Sequence, residues 1–381
     1  MSITVGVIKE TFPGERRVAM APKVMDMLAK VGAQFTVERG AGADAGFPDK
    51  EYEAKGARMA ATADEVRQNV QVLLQVRVED SPALQNGQIV AGMCDPLSEP
   101  QFIAKIAQRG ITLFSMELIP RITRAQSMDV LSSMATVAGY KAVLLAAVEQ
   151  PRMFPLMMTA AGTIPAARVL VIGAGVAGLQ AISTARRLGA VVSGYDVRAA
   201  VKEQIESLGA KFVVIETGES GEGTGGYAKQ LSAEAIQRQR DALGNVMREM
   251  DVVITTAAVP GRKAPLLVTA EMARCMAPGS VIVDLAAERG GNCELTKPGE
   301  KVVDSSGVTI LGPVNLPASI PYHASQMYAR NVSTFLKNMI TKEGAINIDM
   351  ADEITKETLV ARDGKVANPR VEALLGAEVK A

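Results

Sequence analysis

Histidine is nearly missing from this chain of 381 residues: His323 is the only one. Histidine is the usual proton carrier at neutral pH. An enzyme made from this chain therefore uses Lys or carboxylates in its place, or runs chemistry that moves no proton at the reacting atoms. His323 lies in Pro321-Tyr322-His323-Ala324-Ser325, at an expected helix start, and is assigned to the surface or a cap. Tryptophan is absent and aromatics make up only 4% of the chain, which argues against base-stacking platforms and a nucleic-acid partner. Lys plus Arg balances Asp plus Glu at 41 each, so no net charge draws the chain to a polyanion or an acidic surface. Cys94, Cys275 and Cys293 are far apart and form no C-x-x-C. That spacing fits neither a disulfide frame nor a thiolate zinc site, and it suits a reducing, cytosolic compartment. Polar residues interrupt the apolar runs before membrane-spanning length, the longest helical candidate being Ala142 to Val148. No leader peptide is expected, because Gly6-Val7-Ile8-Lys9-Glu10 already reads as a strand end.

What is present centres on Arg168 to Arg198, RVLVIGAGVAGLQAISTARRLGAVVSGYDVR. The β-branched run Val169 to Ile172 predicts a buried parallel strand. Gly173, Gly175 and Gly178 follow in G-x-G-x-x-G spacing. A helical pattern then runs to Gly189, and a second strand, Ala190 to Tyr195, ends at Asp196. The first glycine allows a tight turn, the second lets backbone approach a pyrophosphate, and the third lets helix pack on strand. The helix N-terminus adds free N–H groups and partial positive charge for phosphates. In this order strand, glycines, helix, strand and acid form a dinucleotide-binding fingerprint. Asp196 stands where an acid binds both ribose hydroxyls and repels a 2′-phosphate, which favours NAD(H) over NADP(H). Arg198 pulls the other way, since an arginine there can accept that phosphate.

Strand and helix patterns alternate along the whole chain, which implies open parallel sheets. Strands are expected at Ile3–Val7, Phe35–Val37, Val72–Val76, Ile89–Met93 and Ile111–Ser115, with a helix from Val18 to Gly32. Met128 to Gln150 reads as one long helix, followed by a proline-marked connection from Pro151 to Pro165. Six further strands, at Val169–Ile172, Val191–Tyr195, Phe212–Ile215, Val252–Thr255, Ser280–Asp284 and Thr309–Leu311, complete a dinucleotide-binding sheet. A last helix is expected from Tyr322 to Ile340, then a polar tail with little sheet potential that returns to the first domain. The fold class is thus α/β: two Rossmann-like parallel-sheet domains, the second dinucleotide-binding, joined by long helices with a cleft between. The boundaries are 1–127 plus 317–381 for the first and 128–316 for the second. Glu219 to Ala228 holds four glycines in six residues and Tyr227 as its sole apolar anchor; it reads as a mobile lid over bound nucleotide.

Four stretches together carry a resemblance: Glu10 to Pro22 (ETFPGERRVAMAP), Met116 to Tyr140 (MELIPRITRAQSMDVLSSMATVAGY), Ala167 to Arg198, and Ile282 to Cys293 (IVDLAAERGGNC). Over essentially the whole chain they resemble the alanine dehydrogenase and nicotinamide nucleotide transhydrogenase superfamily. Pro120 to Asp129 (PRITRAQSMD) and Gly225-Gly226-Tyr227-Ala228 are similar to the transhydrogenase branch, at the position of its soluble NAD(H)-binding component (domain I, the α1 subunit of the proton-translocating enzyme). The resemblance implies a homodimer that binds NAD(H) and transfers hydride to or from NADP(H) held on a separate component, with proton movement through a membrane-spanning subunit. It implies the split-subunit form, cytoplasmic and peripheral on the inner membrane through its partners. By the same resemblance Arg121, Gln126, Ser127, Asp129 and Ser132 surround the nicotinamide. Gly173, Gly175, Val176 and Gly178 hold the pyrophosphate. Asp196, Val197 and Arg198 flank the adenosine ribose, Thr256, Ala257 and Ala258 line the cofactor, and Gly226 and Tyr227 close over it.

The missing histidine agrees with that branch. Hydride passing between two nicotinamides needs aligned rings and no general acid or base. Related alanine dehydrogenases place a catalytic histidine where Asp95 stands here and an aspartate in the segment of Glu288, while Arg17 and Arg77 persist near their carboxylate-binding positions. Two alternatives stay open. One is an NAD-dependent amino-acid dehydrogenase, with Asp95, Lys9 or Glu288 carrying the proton. The other is a non-catalytic NAD(H)-binding module.

Overall fold

Short β-branched runs supply the strands. The computed structural model describes residues 3–216, 218–219, 232–258, 261–341 and 343–378. The stretch from Gly221 to Ala228, with Gly226 and Tyr227, lies outside the described residues. The chain divides into two units: Met1–Met134 with Pro317–Ala381, and Ala135–Leu316.

The first unit opens with β1 (Thr4–Val7), β2 (Gln34–Glu38), β3 (Arg58–Ala60), β4 (Val72–Arg77), β5 (Ile89–Met93) and β6 (Thr112–Ser115). The second holds β7 (Met157–Thr159), β8 (Gly162–Ile164), β9 (Arg168–Ile172), β10 (Val191–Tyr195), β11 (Lys211–Phe212), β12 (Val252–Thr255), β13 (Val281–Asp284), β14 (Lys301–Val303) and β15 (Thr309–Leu311). The tail returns β16 (Leu359–Arg362) and β17 (Lys365–Val366) to the first unit.

In the first unit the order is β17-β16-β6-β5-β4-β1-β2-β3, with β1 to β6 parallel and the two tail strands antiparallel at one edge. In the second the order is β11-β10-β9-β12-β13-β15-β14, parallel except for β14. Each sheet is therefore doubly wound, and its strand order reverses beside its first strand: between β1 and β4, and between β9 and β12. Ligands of such sheets bind outside the carboxyl ends of the strands at that reversal. In the second unit Val169, Val171, Ile254, Val281 and Val283 pack one face, with Ala142, Val143 and Ala146 of the helix Val130–Glu149. Leu170, Ile172, Val253, Ile282 and Ile310 pack the other. Alternate residues of one strand thus feed two cores, as strands buried on both faces require.

Several local expectations are corrected. The tail does enter a sheet: Leu359, Val360 and Ala361 are buried, and β16 pairs with β6. Two strands of four and two residues are too short to show in a polar context. The helix expected from Val18 to Gly32 is confined to a 3-10 turn at Pro22–Val24 and a helical turn at Asp26–Ala29. The residue before Pro22 is held extended, as a pre-proline residue prefers. The connection from Pro151 to Pro165 contains the hairpin β7–β8, which among the described residues pairs only with itself. Among those residues one helix, Val130–Glu149, is long and apolar enough to cross a membrane by length and composition. Ser132, Ser133 and Lys141 interrupt its apolar run, so no unbroken stretch in the sequence shows the full length. Its fully buried Ala142, Val143 and Ala146 make it a core element of the second unit.

Candidate functional site

In the second unit the three glycines do three different things. Gly173 has φ +101°, which a side chain rarely tolerates, and its N–H donates to Tyr195 O at 2.8 Å. Gly178 has no room for a Cβ, which would stand 1.8 Å from Gly173 O. A Cβ on Gly175 would meet no protein atom within 4 Å. Gly175 precedes the helix Val176–Arg187, at whose start Val176 is exposed. Open space above a helix N-terminus fits a pyrophosphate: N–H groups and the helix dipole face it. The helix Val130–Glu149 closes against the same turn. A Cβ on Gly139 would lie 2.1 Å from Ala177 O, so only glycine permits that approach.

Asp196 follows β10, nearly buried, and binds the turn directly. It accepts from Ala174 N–H at 2.7 Å and from Arg198 N–H at 2.9 Å. The Arg198 guanidinium donates to both its oxygens, Nε at 2.9 Å and Nη2 at 2.8 Å. Burial alone raises an acid, but the Arg198 guanidinium and the two N–H groups outweigh it and hold Asp196 below the usual carboxylate range. The two residues with opposite implications for cofactor choice are thus one ion pair. Val197 between them packs against the core.

Thr256, Ala257 and Ala258 leave the end of β12, on the other side of β9 from Asp196. The Thr256 hydroxyl donates to Gly173 O at 3.1 Å, which ties this segment to the glycine turn. Two further residues at this strand edge have no role assigned from the sequence, Asn292 inside the stretch Ile282 to Cys293 and Asn315. Asn292 binds Ala257 through its carboxamide. Asn315 holds a left-handed backbone, φ +45°, and donates its N–H to Glu288 Oε1 at 3.2 Å. An Asn two residues before a proline is a weak signal by itself. A left-handed residue other than glycine marks strain that tends to gather at functional edges.

In the first unit Arg121, Gln126 and Ser127 are exposed on or beside the 3-10 turn Thr123–Met128. Asp129 caps the long helix: its Oδ1 accepts Ser132 N–H at 2.9 Å and its Oδ2 accepts the Ser132 hydroxyl at 2.6 Å. Asn331, on the helix Pro321–Asn338, donates to Ser127 O at 2.8 Å and holds the turn from behind. The expected nicotinamide residues therefore form one ordered segment.

The carboxyl ends of β1, β4 and β5 meet a second, buried group. Glu15 takes the Arg17 guanidinium through both oxygens, at 2.7 and 2.6 Å, and Arg77 Nε lies 3.6 Å from the same carboxylate. Arg77 stacks on Phe12, 4.2 Å from its centroid. Glu10 accepts from the N–H of Val76 and of Arg77, and burial pushes its carboxyl up to about 8. Asp95 has φ +44° and donates its N–H to Glu117, whose carboxyl burial also raises. Lys9 reaches the surface beside Asp44 at 3.5 Å. His323 is exposed on the first turn of its helix.

Comparison with known proteins adds the following. A model described as "Alanine dehydrogenase/PNT, N-terminal domain" matches residues 6–138, and "Alanine dehydrogenase/PNT, C-terminal domain" matches 142–369. The chain is 44% identical over 376 residues to the first part of the NAD(P) transhydrogenase subunit alpha of Rhodospirillum rubrum, covering 96% of this chain and 98% of that one. It is 27% identical over 384 residues to the alanine dehydrogenase of Bacillus subtilis, covering 98% and 95%. A solved transhydrogenase structure from Sinorhizobium meliloti superposes with a TM-score of 0.87 at 46% identity, covering 95% of this chain and 99% of that one.

Proposed function

The chain belongs to the alanine dehydrogenase/PNT family, and from that premise we propose that it is the NAD(H)-binding component of a proton-translocating transhydrogenase. Its relatives support a transhydrogenase role, and its second unit carries a dinucleotide-binding fold. In the proposed reaction, hydride moves directly between NADH on this chain and NADP⁺ on a partner component, with the stereochemistry of the Re/Si-specific class, while a membrane-spanning subunit moves the proton. The chain then sits on the cytoplasmic side, peripheral to the inner membrane through its partners.

The observation that carries the reading over an amino-acid dehydrogenase is the two-point pairing of Glu15 with Arg17. A 2-oxo acid needs an arginine whose donors are open to its carboxylate. Here a buried glutamate of the same chain takes Nε and Nη2 of Arg17. Nicotinamide supplies the hydride when bound. This chain's residues have the remaining tasks: Gly175 and the helix start receive the pyrophosphate, Asp196 the adenosine ribose, and Arg121, Gln126, Ser127, Asp129 and Ser132 the nicotinamide end. None of these tasks moves a proton. For Gly226 and Tyr227 we propose closure over the nucleotide.

A homodimer belongs to the proposal. Among the described residues the hairpin β7–β8 pairs with no other strand, and Leu156, Met157 and Met158 beside and on it are exposed, Met158 to 83%. A lone two-stranded sheet is marginal in water, so a second copy covering it is the natural use of that apolar surface.

The purified chain should bind NADH without turning it over. It should pass hydride to an NADP⁺ analogue only when an NADP(H)-binding component is added. Deamination of alanine with NAD⁺ by the chain alone would overturn the reading in favour of a dehydrogenase. Binding without hydride transfer to any partner would reduce it to a nucleotide-binding module. Sedimentation should give a dimer that deletion of residues 157–164 dissociates.

A further inference from the structure

Ala257 stands two residues past β12, where the ladder has ended. Its neighbour Thr256 makes the last sheet contact, N–H to Ile172 O at 2.9 Å. Beyond that point a backbone normally turns to water. Instead both polar groups of Ala257 are taken by one side chain. The Asn292 carboxamide oxygen accepts Ala257 N–H at 3.0 Å, and its nitrogen donates to Ala257 O at 2.8 Å and to Pro265 O at 2.8 Å. An amide that accepts and donates to one residue imitates a neighbouring strand.

Asn292 is itself held firmly. It is fully buried, its N–H donates to Asp284 Oδ2 at 2.7 Å, and its carbonyl accepts from Leu267 and Val268 at 2.9 Å each. Asp284, also fully buried, gathers Thr255 Oγ1, Ala286 N–H, Cys293 N–H and Thr296 Oγ1 as well. Three segments, 255–258, 264–268 and 284–296, are thereby tied at one residue. On its other side the Ala257 segment is tied to the glycine turn through Thr256. Ala257 is clamped between the two.

We propose that Asn292 is a positioning residue for the nicotinamide half of bound NAD(H), acting through the backbone of Ala257. This rests on the reading that the second unit binds NAD(H). The sheet order gives the half: Asp196 lies past β10, on one side of β9, and Ala257 past β12, on the other. A dinucleotide laid across the reversal places its adenosine half with Asp196 and its other half with Ala257. Asn292 thus sets the geometry of one half only.

The test compares NADH with AMP on the full-length chain, read by NADH fluorescence without interference, since the protein has no tryptophan. Asn292→Ala and Asn292→Ser should weaken NADH about tenfold, the cost of losing the two hydrogen bonds to Ala257, and leave AMP affinity unchanged. Asn292→Asp keeps the acceptor but loses both donors, and should weaken NADH as much. A merely structural role lowers the melting temperature and shifts both ligands alike, or neither, and either result overturns the proposal. If the variants do not fold, amide exchange in the unsubstituted protein decides. The Ala257 amide should be protected without ligand although it lies outside the sheet, and free exchange there overturns the clamp. Failure of the unsubstituted chain to bind NADH overturns the underlying reading, and needs no variant to be seen.

Discussion

At Gly175 and Gly178 one residue type answers two unlike demands. An added methyl at Gly178 collides with Gly173 O, whereas at Gly175 it enters empty space over an ordinary backbone, φ −76° and ψ −172°. Gly178→Ala should therefore cost on the order of 2 kcal/mol of stability through overpacking. Gly175→Ala should leave stability within about 0.5 kcal/mol and weaken NADH about tenfold by filling the phosphate approach. Thermal unfolding and NADH titration on both variants separate the two. The Asp196–Arg198 pair is the second residue-scale device. Asp196→Ala removes the charge that repels a 2′-phosphate and releases a guanidinium to meet it, so the ratio of NADPH to NADH dissociation constants should fall. An unchanged ratio would show that the sheet edge, not this carboxylate, sets the preference. Glu10 gives a pH signature. Its carboxyl lies at about 8 in the folded chain against 4.5 as its ordinary value. The folded chain holds a proton there that the unfolded chain has lost, so stability is full below about 4.5 and declines as pH rises toward 8. Urea midpoints should fall across that window, and Glu10→Gln should flatten the slope. Asp196, shifted the other way, acts only in acid, where its stabilising effect is lost as it protonates.

Among the elements, the helix Val130–Glu149 joins capping, packing and the expected nicotinamide segment. Its N-terminus is closed by Asp129 through Ser132, and Gly139 two turns on meets Ala177. Asp129→Ala should cost about 1 kcal/mol, the usual worth of an N-cap. Asp129→Asn restores the cap but not the charge. If hydride transfer with the partner stays low in Asp129→Asn while the melting temperature recovers, the carboxylate acts on the ligand. If both recover together, capping is its whole role. The same helix shows why apolar length alone misleads. Its length and apolar composition would suffice to cross a membrane, yet its Ala142, Val143 and Ala146 are packed in the core of the second unit.

For the molecule as a whole, the first unit is closed by the last stretch of the chain. The helix Pro321–Asn338 buries Tyr328, Phe335 and Leu336, and Tyr328 Oη donates to Gln75 O at 2.6 Å. Phe335 stacks edge-on with Phe114 of β6 at 5.4 Å. A chain stopped after Leu316 should leave residues 1–134 without that core and without β16 and β17. Amide exchange should then show protection kept in β9 to β15 and lost in β1 to β6. Retained protection in β1 to β6 would mean that the first unit does not depend on the tail.

By itself the sequence determined whatever is written in neighbouring residues. The β-branched runs, the G-x-G-x-x-G turn, Asp196 after β10 and the long helix are readable because turn geometry, strand period and helix period act over a few positions. The same locality allows the family resemblance to be drawn from four short motifs. Tertiary structure alone decided what depends on distant residues meeting. It set Arg77 beside Glu15 and carried Tyr328 to Gln75. It brought Asn292 to Ala257 across 35 positions, and made strands of a polar tail by offering it the open edge of β6. No periodicity encodes such meetings. They follow from burial, which forces each hidden polar group to find a partner wherever in the chain that partner happens to lie.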